Sequence, residues 1–180
     1  MKRIIHTVTC IIVLLTFVSL FVYLNNPSLG AFATLISFIT TSYHFVMRII
    51  VGYVVDGIYH NKMNYYNKWF KVSDIENKLY NMIKVKEWKN FMPTYSPETF
   101  SLKKHTLDEI AMAMCQSEVV HEIIVILSFV PVLMIPSLGK PFVFIMTSIL
   151  AACFDMIFVI MQRYNRPRIV KLIEKRRSRN

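Results

Sequence analysis

Four apolar runs constrain this chain more than any other feature. They cover residues 4–24 (IIHTVTCIIVLLTFVSLFVYL), 31–54 (AFATLISFITTSYHFVMRIIVGYV), 119–135 and 142–161 (FVFIMTSILAACFDMIFVIM). A run of about 20 apolar residues is long enough to cross the hydrocarbon core of a bilayer. There, with no water to satisfy the amides, a helix is the structure that pairs them all within one segment. Over 180 residues the chain is 54% hydrophobic and 18% charged, more apolar than a soluble domain of this size requires. The expectation is an all-α integral membrane protein, one membrane domain over 1–180. About four transmembrane helices flank a helical and loop region at 56–118, between spans two and three, and a basic tail follows at 162–180. The third run is short for a span. Lys2 and Arg3 before an apolar stretch also resemble the start of a secretory signal. The run is longer than a usual signal core, however, and no small-residue cleavage site follows it, so we read it as a span.

The basic residues give an orientation, because Lys and Arg favour the cytoplasmic side of short loops. Lys2 and Arg3 precede span one, nine lysines lie in 56–118, and eight Lys or Arg lie in 162–180. The links NNPSLG (25–30) and PSLGKP (136–141) carry none and one. All basic regions fall on one side if both termini are cytoplasmic, which predicts a multi-pass protein of the cell membrane. PSLG recurs in both links, and we read it as helix–helix turn chemistry. The net charge of +10 is largely the segment RYNRPRIVKLIEKRRSRN. Placed directly after a span, it points to anionic headgroups, or simply to a determinant of topology, rather than to nucleic acid. Cys10, Cys115 and Cys153 are odd in number and show neither a disulfide framework nor zinc spacing.

The region 56–118 mixes Trp and Tyr with lysines, a composition suited to the headgroup interface. SDIENKLYNMI reads as a short amphipathic helix with Ser73 and Glu76 as its capping box. A second box at Thr106 and Glu109 opens a helix expected to run straight into the third span. Pro93 and Pro97 read as stops. This region is too small for a large core of its own and is expected to cover the cytoplasmic ends of the spans.

Ionisable residues inside spans are costly and usually face the protein interior. Here they are His44 and Arg48 in span two, Glu118, His121 and Glu122 at the mouth of span three, and Asp155 in span four. His44 and Arg48 share a helix face, as do Glu118 and His121. Counted from the cytoplasmic ends, all fall in one half of the membrane, where one polar pocket would satisfy them. Each also has a plainer reading: Arg48 snorkels, His44 is a hydrogen-bonded core histidine, Asp155 pairs with Arg48 or His44, and Glu118 and His121 are interfacial. A histidine beside a carboxylate is a general base able to activate an alcohol. Glu-x-x-His is also a metal-ligand spacing of helical bundles, but those sites repeat it and this chain has it once, so no metal is expected.

Three stretches resemble the glycosyl-4,4'-diaponeurosporenoate acyltransferase family: MQRYNRPRIVKLIEKRR (161–177), NKWFKV followed by IKVKEWKNFMP (67–93), and QSEVVHEIIVILSFVPV (116–132). The likeness spans about 65–177 and departs at Glu122, where the family pattern has Trp. It implies transfer of a fatty acyl chain to a sugar hydroxyl of a membrane lipid, with acyl-CoA as co-substrate and no bound cofactor. The partners it implies are membrane lipids, an acyl donor and a lipid-linked sugar acceptor. It further implies His121 as base and Glu118 as its orienting carboxylate. Arg163, Asn165, Arg166 and Arg168 would bind the phosphates of the donor or a headgroup, with Trp69 and Trp88 lining the entrance. His44, Arg48 and Asp155 would line the substrate pocket. A non-catalytic membrane accessory or scaffold protein, and a small membrane methyltransferase, stand as alternatives.

Overall fold

The computed structural model describes residues 2–91 and 97–179. The described residues form helices joined by turns and loops, without strands. The helices are α1 (Lys2–Asn25), α2 (Leu29–Tyr59), α3 (Asp74–Met82), α4 (Val85–Trp88), α5 (Leu107–Leu127), α6 (Ile135–Leu138) and α7 (Pro141–Arg177). Lys2–Asn25, Leu29–Tyr59, Leu107–Leu138 and Pro141–Arg177 are long and apolar enough to cross a membrane. This is a multi-pass membrane protein.

Two compact units divide the chain. The first is Met1–Gly52 with Ile123–Phe154. Its surface is inverted relative to a soluble domain, as a hydrocarbon solvent requires: α1 exposes Leu14, Phe17 and Phe21 and buries Thr9 and Ser19. Lipid tails give apolar side chains little reason to leave them, so small and hydroxylated residues make the helix contacts. The Thr16 hydroxyl lies 2.6 Å from Ser42 Oγ and donates to Phe38 O at 3.2 Å, tying α1 to α2. Thr9, Ser37, Thr40, Ser128 and Thr147 return their hydroxyls to the carbonyl four residues back, which satisfies them without water. Tyr43 donates to Leu127 O at 2.8 Å.

The two PSLG turns differ. Ser28 accepts from Ala31 N–H at 3.1 Å, and Gly30 is already helical. Gly139 closes α6 at φ 65°, ψ −147°, a conformation open essentially to glycine alone. The same four residues start one helix and end another.

The second unit is Tyr53–Glu122 with Asp155–Asn180. It holds α3, α4, the last turns of α2, most of α5 and the C-terminal part of α7. Both expected capping boxes form. Ser73 Oγ accepts from Glu76 N–H and Glu76 returns a bond to Ser73 N–H, and Thr106 and Glu109 do the same. Pro97 opens a short 3-10 turn, and Pro93 lies outside the described residues.

The basic segment expected as a tail is instead the end of α7. With 37 residues, that helix is about 55 Å long at 1.5 Å per residue, well beyond the hydrocarbon thickness. It runs on through Pro167, whose ring nitrogen leaves Arg163 O without its usual partner. Two small cores hold the protruding part. Tyr164 packs with Tyr80 and Val85, and Ile173 packs with Leu107 and Ala111. Arg177 then bonds Asp108 at 2.8 Å, and the Tyr65 hydroxyl donates to the same carboxylate oxygen at 2.6 Å.

Candidate active site

The three motif segments meet in the second unit. Arg163 and Arg166 lie three residues apart on α7, so both point to one side. Between them sits Glu118 of α5, fully buried. Arg163 Nη1 donates to Glu118 Oε1 at 2.7 Å, and Arg166 Nη1 donates to Oε2. Arg163 Nε reaches Glu76 Oε1 at 2.7 Å. The remaining donors seize the backbone of the WFK stretch: Arg163 bonds Trp69 O and Lys71 O, and Arg166 bonds Phe70 O. The Arg166 guanidinium also lies 4.8 Å over the Phe70 ring. Two guanidiniums and two carboxylates make a neutral group, and each guanidinium also bonds the backbone. That is the condition under which charges tolerate burial.

Glu76 is the one member of this group clearly outside the spans. Burial pushes its carboxyl up, but hydrogen bonds from Arg163 and Ser73 and the Arg163 charge outweigh that and hold it at about 2 rather than 4.5. A depressed folded-state value means the stabilisation is complete above about 4.5 and is lost as pH falls towards about 2. Unfolding measured across that window should show a loss on the order of 2 kcal/mol in the wild-type protein. The loss should be smaller in Glu76→Gln, since Glu98 and Glu109 are also held low, and a profile unchanged from wild type would remove Glu76 as its cause.

The expectation paired Glu118 with His121. The structure pairs His121 with Asp155 instead: Nδ1 lies 2.9 Å from Asp155 Oδ1. Glu118 and His121 are three residues apart on α5, but both oxygens of Glu118 are engaged by the two guanidiniums. His121 is further fixed by Phe158, whose ring stacks on the imidazole at 4.7 Å and 16°. Asp155 and Phe158 are three residues apart on α7, so one helix face supplies both supports. One turn below, Gln162 Nε2 donates to Ser117 Oγ at 3.3 Å. With Asp155 ionised and the ring neutral, Nδ1–H donates to the carboxylate and Nε2 presents its lone pair. Asp155 is 1% exposed and His121 22%, so the imidazole is the member of the pair that a substrate can reach.

The other expected residues have partners of their own. Glu122, the departure from the family pattern, accepts from the Trp69 indole N–H at 2.9 Å and holds that exposed ring against α5. Trp88 packs on the Tyr80–Val85–Tyr164 core and donates to Ile83 O at 2.9 Å, so it walls a core rather than standing open. Asn165 accepts from Lys89 Nζ at 2.6 Å. Arg168 is exposed and lies on the Tyr164 ring, 3.7 Å from its centroid. His44 and Arg48 belong to the first unit. His44 is buried, and Arg48 donates to His44 O at 2.8 Å and Ala151 O at 3.2 Å. Phe158, Glu76 and Lys89 were not read as site residues from the sequence. A phenylalanine in an apolar run carries no signal, and Glu76 was legible only as a cap.

Fold and site together define a small multi-pass membrane protein with an enclosed arginine–glutamate cluster and a supported histidine–carboxylate pair. The profile of the family described as glycosyl-4,4'-diaponeurosporenoate acyltransferase (CrtO) matches residues 66–175. That is more than half of the 180 residues, and the chain belongs to this family. The family's activity is acyl transfer in carotenoid glycoside modification. No curated protein and no solved structure matches the chain.

Proposed function

We propose that the protein is a membrane O-acyltransferase that moves a fatty acyl group from an acyl-CoA-class thioester to a hydroxyl of a glycosylated membrane lipid. The observation that carries this reading is the His121–Asp155 contact at 2.9 Å, with the imidazole stacked on Phe158. In the step we envisage, His121 Nε2 takes the proton of the sugar hydroxyl as its oxygen attacks the thioester carbonyl carbon. The new C–O bond forms, the C–S bond breaks, and the proton passes from the imidazolium to the departing thiolate. A positioned general base of this kind contributes roughly 10²–10⁴-fold. Asp155 holds the tautomer. Glu118, Arg163 and Arg166 serve as the wall that fixes α5, α7 and the WFK stretch together.

The distribution of basic residues supports cytoplasmic termini, which would put this site on the cytoplasmic side, where a soluble thioester is available. Helix α3 supports an interfacial location, since it exposes Ile75, Leu79 and Met82. Trp69, exposed beside Glu122, is placed in this reading at the entrance.

Membranes carrying the protein, given radiolabelled acyl-CoA and a glycolipid fraction, should place label in lipid. His121→Ala should reduce it to background while the chain still inserts and folds. Equal labelling by the variant would take His121 out of the reaction. No labelling by the wild-type protein would favour a non-catalytic membrane role.

A further inference from the structure

One cationic group in the second unit stands apart from the neutral arginine–glutamate cluster. Lys89, from the WK segment, and Arg168, from the end of the RYNRPR segment, both pack on the ring of Tyr164. The Arg168 guanidinium lies 3.7 Å from the ring centroid and Lys89 Nζ 5.1 Å. Tyr164 is itself fixed, buried against Tyr80 edge to face at 6.2 Å. Lys89 is held by Asn165 Oδ1 at 2.6 Å, and Arg168 spans back to Tyr164 O at 3.2 Å. Two cations are thus each held against the same buried ring.

No carboxylate pairs with either cation among the described residues. Glu76 and Glu118 are engaged by Arg163 and Arg166, Glu87 by Lys84 and Asp108 by Arg177. The interaction of each cation with the ring offsets part of their mutual repulsion, but no carboxylate among the described residues neutralises them. Burial, the Arg168 charge and the Lys86 charge hold the Lys89 ammonium below its ordinary value, which an anion placed there would reverse. A planar guanidinium together with a point-charge ammonium, both anchored on Tyr164, is a donor set suited to phosphate oxygens.

We propose that Lys89 and Arg168, gathered on the Tyr164 ring, bind a phosphate group. The identification of that phosphate as part of a nucleotide-bearing acyl donor rests on the function proposed above; the phosphate of an anionic phospholipid headgroup has the same chemistry. Of the three arginines in the segment, Arg168 is the one whose guanidinium is not tied to a carboxylate, and Lys89 joins it from a segment 79 positions earlier in the chain.

The test measures binding without acyl transfer, so a failure of the catalytic reading leaves it interpretable. The full chain is held in dodecyl maltoside micelles, which contain no phosphate. One arm titrates adenosine 3',5'-bisphosphate, and a second counts phosphatidylglycerol retained per chain by mass spectrometry. Lys89→Gln with Arg168→Gln should weaken one of these by about 10- to 100-fold, as expected for losing two charge-assisted contacts. Lys171→Gln with Lys175→Gln, which removes the same charge from exposed positions on the same helix, should leave it within about twofold, as surface charges screened by salt do. Loss in the first arm assigns the site to the donor, and loss in the second to the headgroup. Equal binding by both double variants in both arms, or no binding by the wild-type protein in either, overturns the proposal. Thermal melts of the two variants exclude misfolding as the cause.

Discussion

Replacing Asp155 by Asn is expected to lower acyl transfer by about 10²–10⁴-fold while the chain still folds. The substitution keeps the size of a side chain that is almost wholly buried. It removes the obligate acceptor facing His121 Nδ1, and the amide can present its NH2 group there instead. The imidazole then loses its preference for the tautomer with a free Nε2 lone pair, and the imidazolium formed during the reaction loses its counter-charge. Because Asp155 acts through His121, kcat should fall while KM for the glycolipid stays near its wild-type value. Adding Asp155→Asn to His121→Ala should cost nothing further. Additive losses in the double variant would mean that Asp155 acts independently of the histidine.

Glu118→Ala is expected to be among the most destabilising single changes in the second unit, at about 3–5 kcal/mol, because it leaves the buried Arg166 guanidinium without a carboxylate and takes one of two from the partly buried Arg163. Chemical unfolding in detergent, followed by circular dichroism, gives the value. Glu118→Leu combined with Arg166→Met should recover part of the loss, since a desolvated pair replaced as a unit by apolar side chains is often near neutral. A stable Glu118→Ala protein that binds donor normally but fails to transfer would return Glu118 to a direct part in catalysis. His121→Ala should behave in the opposite way, losing activity with little change in stability.

Most of the architecture was legible because it depends on local properties. Long apolar runs must be helices in lipid, whatever packs beside them. The capping boxes at Ser73 and Thr106 depend on residues three positions apart and formed as read. The helix read as opening at Thr106 and running into the third span does so, from Leu107. The end of α7 was read as a tail because its residues are basic, yet Ile169 and Ile173 carry the helical spacing that docks it on Leu107 and Ala111.

The site was legible as a set of residues but not as a set of partners. The sequence alone determined which groups are too costly to leave unpaired near the membrane: Glu118, His121, Asp155 and the arginines after Gln162. Spacing of three on a helix suggested that Glu118 serves His121. Such spacing only permits a contact, and a buried carboxylate goes to the partners that best compensate its lost hydration. Two guanidiniums from α7 do that better than one imidazole, and they leave His121 to Asp155, 34 positions away. That choice is a competition among long-range contacts, and only the packing of α5 on α7 decides it.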